Sequence, residues 1–159
     1  TYIASTASGI STVSGTNFFY SDINGDGKAD RIVWHPTLNS GKPSVYLSNG
    51  DGTFTLSSTF TNTGLKSEVG TTIFQFADVN GDGLSDKIFW RSSYYLGRTA
   101  VNLAQANNTF SETIFSLSSI STDPNTRFFY YDINGDGKAD MLKWNYNEDG
   151  GKFKTYLAR

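Results

Sequence analysis

Three observations predict an all-β fold for this chain of 159 residues. Short runs rich in β-branched and aromatic residues alternate with clusters of Gly, Asn, Asp and Ser, the pattern of half-buried strands joined by turns. No window carries a sustained helical period with caps. A thirteen-residue segment occurs three times: DINGDGKADRIVW over 22–34, DVNGDGLSDKIFW over 78–90 and DINGDGKADMLKW over 132–144. A repeat of this length marks one supersecondary unit that needs its neighbours to bury its faces.

The repeat fixes the elements in order. Phe18, Phe74 and Phe128 stand four residues before the first Asp of each segment, and Tyr20, Phe76 and Tyr130 stand two before it. In the first unit this predicts strands over 18–23, 31–35, 44–48 and 53–57. Downstream, Val45-Tyr46-Leu47-Ser48 matches Val101-Asn102-Leu103-Ala104 and Thr155-Tyr156-Leu157-Ala158 as third strands. Asn49-Gly50-Asp51-Gly52 reads as a plain hairpin turn. Thr53-Phe54 and Thr109-Phe110 open the fourth strands, and Thr1-Tyr2 aligns with them.

Four-stranded units at this spacing predict a β-propeller, with three blades per chain over about 16–60, 72–116 and 127–159 in a single domain, 1–159. Residues 1–6 are expected to supply the fourth strand of a last blade. Three blades fall below the usual four to eight. Either two chains close head to tail into a six-bladed homodimeric ring, or the chain is cut from a longer propeller at a tolerant turn.

Composition excludes several classes. Lys and Arg number 13 against 15 Asp and Glu, a net charge of −2 with no basic excess for nucleic acid. No apolar run approaches the roughly 20 residues of a membrane-spanning helix, so no membrane insertion is expected. The absence of Cys removes disulfides, thiolate catalysis and Cys-ligated metals. The chain opens on Thr1-Tyr2 without a basic-then-apolar leader, as expected of a processed or trimmed form.

Each repeat carries D-x-N-G-D-G-x-x-D, which sets oxygen-bearing side chains at positions 1, 3, 5 and 9 of a tightly curled loop. With a backbone carbonyl at position 7, such a loop offers one hard cation six or more oxygens. The first loop offers Asp22, Asn24, Asp26, the Lys28 carbonyl and Asp30. The second offers Asp78, Asn80, Asp82, the Leu84 carbonyl and Asp86. The third offers Asp132, Asn134, Asp136, the Lys138 carbonyl and Asp140. Calcium suits a flexible oxygen cage better than magnesium, so about three Ca2+ per chain are expected. An EF-hand would place Glu at position 12, where this chain has Val33, Phe89 or Lys143. The plain alternative is a turn in which Asp and Asn only cap backbone groups.

On these motifs the chain resembles the FG-GAP or VCBS repeat family, the calcium-loop blades of the integrin-alpha type of β-propeller. The resemblance spans nearly the whole chain. It implies calcium ligation by the residues just named and a secreted or cell-surface location, in company with adhesion receptors, lectins, polysaccharide-degrading enzymes and toxin subunits. A clear Phe-Gly-Ala-Pro stretch is absent.

Trp34, Trp90 and Trp144 occupy one position in each unit, beside the polar residues His35, Arg91 and Asn145. One reading packs the indoles between blades. The other makes each Trp and its polar neighbour a shelf for the apolar face of a sugar ring. His35, before Pro36, also reads as an ordinary exposed histidine. The acids outside the loops do not recur as a pair, and no acid, base or nucleophile is set up for catalysis. The expected function is therefore a calcium-stabilised, lectin-like, non-catalytic carbohydrate-binding propeller with repeated weak sites. The alternatives are a protein-interaction or adhesion scaffold within a larger protein, and the accessory propeller of a polysaccharide-degrading enzyme.

Overall fold

Antiparallel hairpins form where the repeat predicts strands. In the first unit β1 (Asn17–Ser21), β2 (Asp30–Trp34), β3 (Ser44–Ser48) and β4 (Phe54–Ser57) hydrogen-bond in chain order into one sheet. The computed structural model describes residues 13–62, 73–93, 95–115 and 120–159. The strand expected from residues 1–6 lies outside them. After β4 a single helical turn, α1 (Ser58–Asn62), drops the fully buried Phe60 against Phe110, with ring centroids 5.2 Å apart.

The second unit repeats the plan with β5 (Ile73–Ala77), β6 (Asp86–Trp90) and β7 (Thr99–Asn102). Its fourth strand opens at Thr109-Phe110 as expected but is broken in two: β9 (Thr109–Phe110) pairs with β8 (Ala104–Gln105), Phe110 opposite Ala104 as Phe54 is opposite Ser48, and β10 (Ile114–Phe115) pairs with β7. The two halves differ in register by one residue, a bulge, since Ala104 faces Phe110 but Val101 faces Ile114, and Asn102, which stands where the first unit has Tyr46, binds across it. Its buried amide donates to the Ser111 carbonyl and the Thr113 hydroxyl, each at 3.0 Å. A side-chain amide bonding to backbone in this way takes the place of ladder pairing across the bulge.

The third unit comprises β11 (Arg127–Tyr131), β12 (Asp140–Trp144) and β13 (Lys154–Tyr156), with no fourth strand among the described residues. In every unit the first two strands pair in the same register, Asn17 opposite Trp34, Ile73 opposite Trp90 and Arg127 opposite Trp144.

Because side chains alternate across each sheet, every unit has two faces, and successive sheets stack face to face. Between the first and second lie Ile23, Ile32, Val45, Phe60, Ala104 and Phe110, with Phe74, Phe89 and Ala100 closing against Phe19 and Trp34. Between the second and third lie Trp90, Phe128 and Met141, joined by Ile73, Ile120 and Tyr130. At about 1.5–3 kcal/mol per fully buried large apolar side chain, these inter-sheet layers are the main source of stability. Among the described residues no helix is long and apolar enough to cross a membrane.

Candidate functional site: acidic loops and the groove between sheets

The three acidic loops adopt one hydrogen-bonded form. In the first, Asp22 Oδ1 accepts from Gly25 N at 2.7 Å and Oδ2 from Gly27 N at 2.7 Å. Asn24 Oδ1 accepts from Asp26 N, and Asp26 Oδ1 from Lys28 N. Asp30 is fully buried and joins distant backbone: Oδ2 accepts from Ile23 N at 3.0 Å and Oδ1 from Ser48 N at 2.8 Å. Asp86 does the same with Val79 and Ala104, and Asp140 with Ile133 and Ala158. Position 9 therefore ties each loop to the end of the third strand in its own unit.

The loops are also tied to one another. Ser85 N donates to the Asp22 carbonyl at 2.8 Å, and Ala139 N donates to the Asp78 carbonyl at 2.6 Å. Gly25 sits so close to the next loop that a Cβ would lie 2.8 Å from Leu84 Cδ2 and push that side chain aside, and its φ of +77° is a backbone conformation that favours glycine.

Whether these loops suit a cation is a question of donor chemistry. All their side-chain donors are oxygens, the set a hard divalent ion takes. Burial pushes the Asp86 carboxyl up to about 6, with the charges of Asp82 and Asp78 acting in the same direction. Asp30 is raised as well, by burial first and then by Asp26 and Asp22. Asp26 is held below its ordinary range, chiefly by the Lys28 ammonium 2.7 Å away. Raised carboxylates facing like charges are what a bound cation would relieve. Among the described residues, however, no three His, Cys, Asp or Glu side chains converge on a metal position by themselves. A cation would thus rely on Asn24, Asn80 and Asn134 and on the position-7 carbonyls as well as the acids.

The aromatic candidates are placed differently from a set of open shelves. Trp90 is only 3% exposed, edge-on to Phe128 with centroids 5.0 Å apart, so it is a packing residue. Half-buried Trp34 packs on Phe74 at 5.0 Å. Trp144, also half-buried, has no following sheet among the described residues and lies 6.4 Å from Tyr146. His35 corrects the expectation of an exposed histidine. It is 8% exposed because the turn after β2 folds back on it: Nδ1 accepts from Thr37 N, and the opposite ring nitrogen, Nε2, lies 3.1 Å from the Ser14 carbonyl. Asn145 is 2% exposed and donates to Asp123 Oδ2 at 2.8 Å and to Thr126 Oγ1 at 3.0 Å. It is a structural amide, and its hydrogen bond is the main cause holding the Asp123 carboxyl low. Arg91 is half-buried at the end of β6.

Two features escaped the sequence reading. Each indole donates to the carbonyl of a glycine seven residues on: Trp34 to Gly41 at 2.9 Å, Trp90 to Gly97 at 3.1 Å and Trp144 to Gly151 at 2.9 Å. The constant Trp-to-Gly spacing was the available signal. The second is a groove of about 410 Å3 between the second and third sheets, lined by Ile73, Gln75, Trp90, Pro124, Arg127, Phe128 and Phe129. It joins residues far apart in sequence and has no linear signature. Trp90 closes its floor, the Gln75 amide nitrogen donates to the Phe128 carbonyl, and the exposed Arg127 guanidinium and Phe129 ring are left to hold a small polyhydroxylated ligand by hydrogen bonds and apolar contact.

Comparison with known proteins agrees with this architecture. No curated protein sequence matches the chain. Among solved structures, a lectin from Agrocybe aegerita, described as recognising non-reducing terminal N-acetylglucosamine, superposes with a TM-score of 0.60 at 24% identity, over 91% of this chain and 38% of the lectin chain. A TcdB2-TccC3 structure lacking its hypervariable C-terminal region superposes with a TM-score of 0.69 at 18% identity, over 91% of this chain and 6% of the other. TcdB2-TccC3-Cdc42 does so with a TM-score of 0.67 at 20% identity, over 89% and 6%. The chain thus spans well under half the length of each. These likenesses show the fold, all-β with antiparallel sheets, and the neighbours are β-propeller-like. The FG-GAP-like repeat family matches residues 22–89 and again 78–142, and the chain belongs to that family.

Proposed function

We propose that the chain is a non-catalytic, lectin-like carbohydrate-binding module of a secreted or surface protein, built as β-propeller blades whose acidic loops hold calcium. The observation that carries the carbohydrate reading is the groove between the second and third sheets, where the exposed Arg127 guanidinium and the Gln75 side chain stand beside the apolar Ile73 and Phe129. The likeness to a sugar-recognising lectin supports it. Calcium would be held by Asp22, Asn24, Asp26, Asp30 and the Lys28 carbonyl in the first loop, and by the equivalent residues in the other two. Its role there is to neutralise the clustered acids and stiffen the loop between the first two strands of each unit.

A glycan array run in calcium and again in chelator tests this reading, with N-acetylglucosamine-terminated glycans included. Binding in calcium, weakened at least tenfold by Arg127→Ala and reduced in chelator, is the expected result. Arg127 is exposed, so that variant should keep its melting temperature. No binding to any glycan in calcium would sink the carbohydrate reading. Calorimetric titration should find about three calcium sites per chain. A second reading, a protein-interaction scaffold, is favoured by the likeness to the toxin-complex structures and by the exposed aromatics Tyr131, Tyr146 and Phe153. Capture of a protein ligand by a preparation that binds no glycan would select it.

A further inference from the structure

The groove between the second and third sheets carries one formal charge, and it is positive. Of the residues that line it only Arg127 is ionised. Its guanidinium is held at one end: Nη1 donates to the Thr126 carbonyl at 3.1 Å and to the Pro124 carbonyl at 3.4 Å. Among the described residues Nε and Nη2 have no acceptor, and no carboxylate forms an ion pair with Arg127. The unused Nε–Nη2 edge is a fork of parallel N–H groups, the geometry that takes both oxygens of one carboxylate.

The turn that presents this guanidinium is fixed from beneath. Thr126 is fully buried; its backbone N–H donates to the Asp123 carbonyl at 3.1 Å, and its hydroxyl is bonded to Ser121 Oγ and Asn145 Nδ2. The two carbonyls that grip Nη1 are therefore set before any ligand arrives, which spares part of the ordering cost of binding. The acid nearest in sequence, Asp123, is engaged elsewhere: Oδ1 accepts from Asn125 N and Asn125 Nδ2, each at 2.9 Å, and Oδ2 accepts from Asn145 at 2.8 Å. On the wall formed by β5, Gln75 donates its amide nitrogen to the Phe128 carbonyl and keeps its oxygen as an acceptor. An acceptor oxygen suits a sugar hydroxyl and repels a carboxylate, so the two walls differ in what they take. Phe129, two residues beyond Arg127 on the same side of β11 and 37% exposed, offers its ring to the apolar face of a pyranose.

We infer that the groove selects acidic sugars: a uronate or other carboxylate-bearing sugar binds with its carboxylate on the Nε–Nη2 edge of Arg127, its ring against Phe129 and a hydroxyl donating to Gln75 Oε1. Such selection rests on the carbohydrate reading of the groove and names the class of sugar that it takes. Because Arg127 is exposed, a charge pair alone is worth little there. Selection comes from forming the pair bidentately on a guanidinium already held in place. A neutral sugar in the same pose has a hydroxymethyl group instead of the carboxylate, and its single oxygen cannot span the fork.

An array that pairs each carboxylate-bearing glycan with its own carboxyl-reduced counterpart tests this, with the full chain applied in calcium. In the pairs that bind, the acidic member is expected to bind roughly tenfold more tightly. Arg127→Gln, which removes the charge and keeps an amide, is expected to erase that difference. Arg127→Lys, a point charge without the fork, should retain only part of it. Melting curves check that both variants fold as the wild type does. Sulfated neutral glycans on the same array separate a carboxylate preference from attraction to any anion, and binding them as strongly as the uronates overturns the carboxylate assignment. Equal binding of acidic and reduced members overturns the acidic-sugar selectivity and keeps the carbohydrate reading, as does an acid preference that survives Arg127→Gln. Binding of no glycan at all overturns both.

Discussion

Asn145 shows how one position can change its work between copies of a repeat. The matching residues are His35, bonded between Ser14 and Thr37, and Arg91, half-buried at its strand end. Asn145 instead fixes the segment before β11 by donating to Asp123 and Thr126 and accepting from Asn147 N at 2.8 Å. Its replacement by Ala would remove three hydrogen bonds at a buried site, leaving the Thr126 hydroxyl with Ser121 alone and the Asp123 carboxylate without its best partner, at about 2–3 kcal/mol. At about 2–4 °C per kcal/mol for a domain of this size, Asn145→Ala should melt roughly 5–10 °C lower. The same variant should alter the acid limb. Asp123 has a folded pKa below its unfolded one, so its contribution is present above the ordinary carboxylate range and is lost as pH falls through the folded value. Without the Asn145 donor, melting temperature should fall less steeply below about pH 4. An unchanged melt at neutral pH would show that these bonds do not hold the segment.

Among the elements, the connection between second and third strands is stapled in all three units by the indole-to-glycine bond, and the middle staple is the most crowded. The Gly97 carbonyl accepts from Trp90 Nε1, Ile120 N and Ser121 N. Gly97 has φ +69°, and a Cβ there would fall 2.0 Å from the Ser121 carbonyl oxygen, a backbone atom that cannot turn aside. Gly151 has φ +73°, but its Cβ would meet nothing closer than 4.0 Å. Gly151→Ala should therefore cost only the left-handed backbone penalty, about 1–2 kcal/mol. Gly97→Ala should cost that and the displacement of the 120–121 segment, more than about 4 kcal/mol in urea unfolding. Equal losses would mean that the segment moves freely. Much of this element plan is legible in the residues: the Asp-to-Trp segment sets β2, β6 and β12, the alternation sets their faces, and Asp30, Asp86 and Asp140 recur at one spacing. The split edge of the second unit is not legible, because the bulge that Asn102 spans exists only once Ser111 and Thr113 are brought beside it. Nor is the groove, whose walls come from two units. The burial of His35 and Asn145 likewise depends on turns that fold back over strand ends that look exposed in one dimension.

For the whole molecule, the cost of losing a side chain depends on the place of its unit in the array, since each unit is stabilised chiefly by its neighbours. Trp90 and Trp144 are the same residue in the same register with the same glycine staple. They differ in what lies beyond: Trp90 is sealed by Phe128 and the third sheet, whereas no following sheet lies over Trp144 among the described residues. Trp90→Ala removes a fully enclosed indole and should cost about 3–5 kcal/mol, because the cavity is walled by two sheets that cannot both collapse into it. Trp144→Ala should cost no more than about 1–2 kcal/mol, because the half-buried indole leaves a site already open to water. Urea unfolding of both variants beside the wild type checks the difference. Near-equal losses would mean that Trp144 is enclosed as fully as Trp90.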